Sequence, residues 1–499
     1  MGQIFDLAVI GGGVNGCGIA RDAAGRGLSV FLCEERDLAA ATSSASTKLI
    51  HGGLRYLEHY NFRLVRESLS EREVLLRIAP HIIWPLRFVL PQNRGMRPWP
   101  IIRVGLFIYD HLSFARTLPG TRSIDLAGDV AGRGLKPEFR RAFEYSDCAV
   151  DDSRLVVLNA RDAAERGAEV RTRTRCLSAA RDGDLWRLTL QHARSSAQYE
   201  TVSARALVNA AGPWVSDVVS GVAHLNTPRK VRLVKGSHIV VDRLFDHDRA
   251  YLFQNPDGRV CFAIPYQGDF TLIGTTDEDY SGDPAAATIT DAETDYLLAA
   301  VSQYLEKPVT RSQIRWTYAG VRPLQDDGTE QAQETTRDYF LDLDAPAGAA
   351  PLLSVFGGKL TTYRRLAEHA LRKLAPTFSA MTGPWTATAP LPGGDIPADF
   401  DAWSAEVRAR YGFLDPVIVN RLCAAYGTRI ETLLEGVTGP EGLGRDFGAG
   451  LTAREIDYLV ANEWAETAED ILWRRTKLGL RFTAPGVEEL DAYLEHPAK

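Results

Sequence analysis

Three glycines, Gly11, Gly13 and Gly16, stand between the apolar segment 4–10 and a stretch rich in alanine and glycine, and Glu34 follows at the end of a second apolar segment, 28–33. That order carries chemistry. Glycine permits a tight turn and lets backbone N–H groups approach a pyrophosphate at the positive end of a helix, while the carboxylate accepts hydrogen bonds from a ribose. A lone G-x-G-x-x-G is weak evidence; with strand, helix and acid in place it reads as a dinucleotide site. A carboxylate at Glu34 disfavours the 2′-phosphate of NADP, and Glu35 is the competing acid one position on. Spacing does not separate NAD from FAD. The segment ATSSASTKLIHGGLRYLEHY, 41–60, adds hydroxyls that can bond phosphate and ribityl oxygens, and glycines that let backbone lie against a planar ring. Standing alone, such a stretch would be an ordinary loop.

The elements that must position these residues are legible in outline. Residues 4–36 read as a strand–helix–strand unit. From 84 to 145 the pattern turns irregular, rich in arginine, proline and aromatics, so the sheet domain is interrupted there before the helical stretch 151–167. VRTRTRCLSAA, LWRLTLQHA and ALVNAAG read as strands, and HIVV, VCFAIP and FTLIGT as more, giving a mixed or antiparallel second sheet. Thr290 and Glu293 form a capping box that starts a helix. Residues 352–374 read as a strand, a Gly-Gly turn and a long helix, the return of the dinucleotide domain. GPWTATAPLPGGDIPADF, 383–400, is linker-like, and apolar residues then recur at helical spacing to about 480. The expected organisation is a discontinuous dinucleotide domain (1–83, 146–215, 338–382), a substrate domain (84–145, 216–337), a linker (383–394) and a helical domain (395–499).

Composition sets the limits. With 499 residues, 45% apolar and 24% charged, the chain has ordinary globular usage and length for several domains, which excludes disordered, collagen-like and disulfide-scaffold classes. A net charge of -7 with no basic tail argues against nucleic-acid binding. Six scattered cysteines, Cys17, Cys33, Cys148, Cys176, Cys261 and Cys423, point to a reducing compartment. The N-terminus lacks a cationic n-region and reads as a first strand, not a secretory signal. No run of 18 apolar residues occurs, so membrane contact is expected to be peripheral. No spacing suggests a metal site, and no Gly-x-Ser-x-Gly elbow is present.

The segment IGGGVNGCGIARDAAGRGLSVFLCEERDLAAATSSASTKLIHGGLRYLE resembles the amino-terminus of FAD-dependent glycerol-3-phosphate dehydrogenases. FEYSDCAVDDSRLV, LVNAAGPWV, KGSHIVV, IGTTDEDYSGDP, YAGVRPL, SVFGGKLTTYRRLAEHAL and EWAETAEDILWRRTKLGL are similar to that family as well, so the likeness spans essentially the whole chain and is nearest the bacterial aerobic, quinone-linked branch. The resemblance implies an α/β fold like that of D-amino-acid oxidase: a Rossmann-type FAD-binding domain, a β-sheet substrate domain and a C-terminal helical cap. It implies oxidation of sn-glycerol 3-phosphate to dihydroxyacetone phosphate, with electrons passed through noncovalent FAD to ubiquinone. It also implies a homodimer in the cytoplasm, bound peripherally to the inner face of the cell membrane.

Carried onto this chain, the resemblance assigns FAD to Gly11, Gly13, Asn15, Gly16 and Glu34, and to Thr42, Ser43, Ser46, Thr47, Lys48 and Leu49 of the hydroxylated loop. Ala211 and Gly212 of NAAGPW and Gly358, Lys359, Leu360 and Thr361 of the FGGK turn complete that set. Lysine is scarce in this chain, and Lys359 is the candidate for the positive charge beside the flavin that stabilises its reduced anion. The arginine fork suits a phosphate, and Arg55, Arg322 and Arg337 are its candidates, with Tyr56 as a neutral donor. For the hydroxyl proton a histidine is needed near neutral pKa. His238, assisted by Arg322, is the favoured base, and His51 either shares that role or positions FAD. The stretch 93–112, with Arg94, Arg97, Trp99, Ile101, Ile102, Arg103, Leu106, Phe107 and Tyr109, is the expected membrane-facing surface. Two alternatives stay open: a soluble oxidase using oxygen, and a flavin-binding protein without turnover.

Overall fold

The structure is a computed structural model and describes residues 3–92, 98–113, 117–194, 198–226, 231–325, 338–397 and 399–495. Its first strand, Ile4–Ile10, pairs in parallel with Val30–Cys33 on one side and Tyr199–Asn209 on the other. Leu7, Ala8 and Val9 are fully buried, as a central parallel strand covered on both faces must be. The helix Val14–Gly25 packs against Asp152–Glu165 and Tyr363–Leu374 to form one cover. The sheet runs Phe340–Asp344, Leu352–Phe356, Tyr199–Asn209, Ile4–Ile10, Val30–Cys33, Glu169–Arg171, and the hairpin Thr174–Asp182 with Leu185–His192 joins through Tyr199–Asn209. Three distant stretches of chain therefore complete one sheet.

Among the described residues the second sheet has ten strands. Its middle is antiparallel, with Val231–Asp242 flanked by Phe270–Gly274 and Ile314–Gln325, and it continues through Val260–Tyr266 and Ala250–Gln254 to Ile83–Gln92 and Arg141–Val150. Two expected boundaries shift here. The strand Arg141–Val150 belongs wholly to the second sheet, so the divide at 146 falls inside a strand and moves beyond Val150. Leu49–Ile50, expected in the dinucleotide domain, also pairs with this sheet. The capping box at Thr290 and Glu293 is present and starts the helix Asp291–Ser302.

The linker is packed. Trp385 lies under the guanidinium groups of Arg21 and Arg166, and Leu391 is buried in the first core. Beyond it, Trp403, Leu422, Ile456, Leu459 and Ile471 make the core of a helical domain. That domain is bound to the dinucleotide domain by buried ion pairs: Arg475 to Asp37 at 2.8 Å, Arg474 to the same carboxylate at 2.6 Å, and Arg154 to Glu463. One junction reaches the hydroxylated loop. Lys477 donates to Ser153 and lies 3.8 Å from Asp152, and Asp152 accepts from Lys48 at 2.8 Å. Both lysines are left-handed, φ 61° and 59°, a conformation that persists in non-glycine residues only where surrounding contacts over-determine it.

Candidate active site

A cavity of about 1110 Å3 runs from the end of the strand Ile4–Ile10 to the substrate-domain sheet. At its first end two of the glycines, Gly11 and Gly16, are obligatory. Gly11 sits at φ +115°, and a Cβ there would lie 2.5 Å from the Ala210 carbonyl oxygen; a Cβ on Gly16 would lie 1.9 Å from that of Gly11. Strand end and helix start approach too closely for any side chain. Gly11, Gly13 and Asn15 line the cavity, and Gly16 stands behind the turn it permits. Glu34 also lines it, with its carboxylate accepting from the Gly12 N–H at 2.7 Å and the Arg36 N–H at 2.8 Å. Burial pushes its carboxyl up. Glu35 is half-exposed and faces Arg36 and Arg175. Asn15 donates to the Gly357 carbonyl at 3.2 Å, and its buried Oδ1 has no hydrogen-bond partner among the described residues. A glycine cradle, a held carboxylate and an orphaned acceptor along one long cavity fit a dinucleotide such as FAD.

The hydroxylated loop forms the middle of the wall. Ser43 Oγ accepts from the Val14 N–H at 3.0 Å, Thr42 Oγ1 donates to the Val321 carbonyl at 2.6 Å, and Ser46 Oγ donates to Asp152 at 2.8 Å. Thr42, Ser43, Ser46, Thr47 and Leu49 line the cavity. Lys48 does not: its ammonium turns behind the loop onto Asp152 and the Ser44 carbonyl, which corrects the expectation that it contacts the cofactor. Ala211, Gly212, Gly358, Leu360 and Thr361 line the remaining length, and Thr361 Oγ1 accepts from the His51 N–H at 3.3 Å.

At the far end the wall brings together His51, Arg55, Tyr56, Arg322 and Lys359. Lys359 Nζ sits 3.8 Å from the Tyr56 ring centroid, a cation–π contact that holds both at the cavity face. Arg322 is ion-paired with Asp277 and donates to Thr275 Oγ1 and the Thr276 carbonyl, both at 3.1 Å. Arg337 lies outside the described residues. His238 departs from the expectation that it meets substrate directly, because it is buried one layer beneath the wall. Its ring stacks on Tyr318 at 4.7 Å and its Nε2 lies 3.0 Å from Thr47 Oγ1. Burial first, then the Arg322 guanidinium and the Lys48 ammonium, hold its pKa well below the ordinary histidine value. Thr47 is the group between it and the cavity. Thr275, Asp277 and Arg259 also line this end, and sequence reasoning missed them; the block IGTTDEDYSGDP was the available signal for the first two.

Comparison with known proteins places these features in a family. Residues 6–364 match the family described as FAD dependent oxidoreductase, and residues 384–498 match the C-terminal domain of alpha-glycerophosphate oxidase. A glycerol-3-phosphate dehydrogenase of Pseudomonas aeruginosa is 54% identical over 499 residues, covering 100% of this chain and 96% of the relative. A D-erythritol 1-phosphate dehydrogenase of Brucella abortus is 51% identical, covering 96% of each. Among solved structures, the glycerol-3-phosphate dehydrogenase from Bacillus halodurans complexed with FAD superposes with a TM-score of 0.76 at 27% identity, over 99% of this chain and 94% of that one.

Proposed function

Because the chain belongs to the FAD-dependent glycerol-3-phosphate dehydrogenases, we propose that it oxidises sn-glycerol 3-phosphate to dihydroxyacetone phosphate and delivers the electrons to ubiquinone at a membrane surface. The observation that supports this reading is that Arg55, Arg322 and Lys359 all line the cavity that also carries the dinucleotide turn. Arg55 and Arg322 clamp the phosphate, with the Tyr56 hydroxyl as a neutral donor. Lys359 sets a positive charge at the redox end of the cavity. Bound FAD supplies the acceptor for the hydride that leaves C2. The C2 hydroxyl proton passes to Thr47 Oγ1 as the Thr47 proton passes to His238 Nε2, 3.0 Å away. A phosphate dianion beside Arg322 offsets one of the cations that depress His238, so the base gains strength when substrate binds. His51, on the wall itself, orients the cofactor beside Thr361.

An anaerobic titration of the yellow protein with sn-glycerol 3-phosphate tests the reading. The flavin band near ~450 nm is expected to bleach with one equivalent of substrate. Bleaching only by a four-carbon polyol phosphate, the substrate class in the Brucella relative's name, would overturn the choice of glycerol 3-phosphate; no bleaching by either would overturn dehydrogenation.

The membrane reading is supported by the helix Trp99–His111. Ile102, Leu106 and Tyr109 face inward, while Ile101, Val104 and Phe107 are 62%, 58% and 54% exposed beside the exposed Arg103. Arg94 and Arg97 lie outside the described residues. No helix among the described residues is long and apolar enough to cross a membrane, whereas an apolar face edged by a cation suits the interface. Val104→Asp with Phe107→Asp is expected to move the protein from the vesicle pellet to the supernatant in a co-sedimentation assay, with dye-coupled activity retained. Unchanged partition would exclude this helix as the contact.

A further inference from the structure

The same helix reaches the substrate end of the cavity from below. Tyr109 is buried, and its hydroxyl lies 2.8 Å from both carboxylate oxygens of Asp147 and 2.9 Å from the Gly52 N–H. A phenol has one proton to give, and with a carboxylate in reach it gives it there, leaving a lone pair for the amide. Asp147 is fixed in turn by Arg72 Nη1 at 2.9 Å, which also donates to the Ser146 carbonyl, and the second Arg72 nitrogen donates to Glu73 at 2.8 Å. The chain Glu73–Arg72–Asp147–Tyr109 thus ends on one backbone amide.

Gly52 follows His51 and precedes Gly53, at φ +79°, which opens the short helix Leu54–His59 carrying Arg55 and Tyr56. A Cβ on Gly52 would lie 2.6 Å from Leu69 and 2.7 Å from the Tyr109 hydroxyl, so the backbone rests directly on the clamp. Nothing in the proposed chemistry uses these buried groups.

We infer that Tyr109 is a positioning residue: by holding the Gly52 amide it sets the turn that presents Arg55 and Tyr56 to the substrate. The inference rests on the reading of Arg55 and Tyr56 as phosphate-binding groups. Removing the hydroxyl leaves the amide with only Asp147 Oδ1, 3.4 Å away, and the turn shifts to find it.

The test is Tyr109→Phe in the holoenzyme, assayed with a soluble dye acceptor, alongside Arg55→Leu. Tyr109→Phe is expected to raise KM for sn-glycerol 3-phosphate about tenfold with kcat within about twofold, the mark of lost uniform binding, at unchanged FAD content and flavin spectrum. A merely structural role would lower the melting temperature and leave KM alone, and that result overturns the proposal. If Arg55→Leu raises KM and Tyr109→Phe does not, the positioning role falls and the phosphate reading stands; if neither does, the phosphate reading falls and takes the inference with it. Should Tyr109→Phe yield no folded holoenzyme, Asp147→Asn probes the same clamp from its other end. A raised KM there supports the role, and an unchanged KM or a second failure to fold overturns it.

Discussion

Gly16→Ala is expected to purify as a folded protein without yellow colour. The added Cβ would stand 1.9 Å from the Gly11 carbonyl oxygen, inside any tolerable contact, and the obstacle is backbone with no rotamer to swing away. Gly11 cannot retreat, because the Ala210 carbonyl closes its other side. The strand end and the helix start must therefore separate, and the N–H groups that converge on a pyrophosphate separate with them. Overpacking of this kind costs about 1–3 kcal/mol or more. A chain of this size can absorb that in stability, but a close-fitting anion site cannot absorb it in geometry. The ratio of absorbance at ~450 nm to that at ~280 nm, with FAD titration followed by flavin fluorescence, is expected to show FAD affinity reduced at least about a hundredfold, since a displaced helix terminus forfeits several charge-assisted hydrogen bonds at once. Stoichiometric FAD in the variant would show that the turn does not hold the pyrophosphate.

Arg322→Leu is expected to leave FAD bound and lower kcat/KM for sn-glycerol 3-phosphate by about 30- to 5,000-fold, the span of about 2–5 kcal/mol for truncating one partner of a buried charge pair. Two losses combine. The phosphate loses a fork that offers two parallel hydrogen bonds, and Asp277, which is largely buried, keeps its charge beside the vacated space. Arg322→Lys retains the charge without the fork and is expected to fall between wild type and the leucine variant. Stopped-flow reduction of the flavin against substrate concentration separates binding from chemistry. A pH signature accompanies the loss. Arg322 is one of the cations that depress His238, so its removal moves the His238 pKa upward and the acid limb of the reduction rate toward higher pH. A leucine variant with wild-type kcat/KM would remove Arg322 from the site.

The parts legible in the sequence were local. The turn of Gly11, Gly13 and Gly16 with Glu34 at the next strand end is a pattern of neighbours, as is the capping box of Thr290 and Glu293, and both stand where spacing put them. What was not legible depends on which distant group a side chain finds. Lys48 lies among residues that line the cavity, and nothing near it in the chain reveals that Asp152, 104 residues away, turns it aside. His238 sits in a block similar to that of its relatives, yet Thr47, 191 residues away, stands between it and the cavity. The boundary at 146 went astray for a related reason: Arg141–Val150 is buried along nearly its whole length, so it lacks the alternation that marks a half-covered sheet. The linker was visible as composition, but its glycines and prolines serve a packed junction, which composition does not disclose.

The contact of Lys477 with Asp152, and through it with Lys48, has a consequence in time. The loop that must meet the flavin is made early, but the cation that completes its support is made about 430 residues later. At about 5–20 residues per second, a ribosome needs roughly 20 to 90 s to close that gap. Over that interval Lys48 is the only one of the two lysines that Asp152 can hold, and of the buried ion pairs that join the helical domain to the rest, the contact of Lys477 is the last to form.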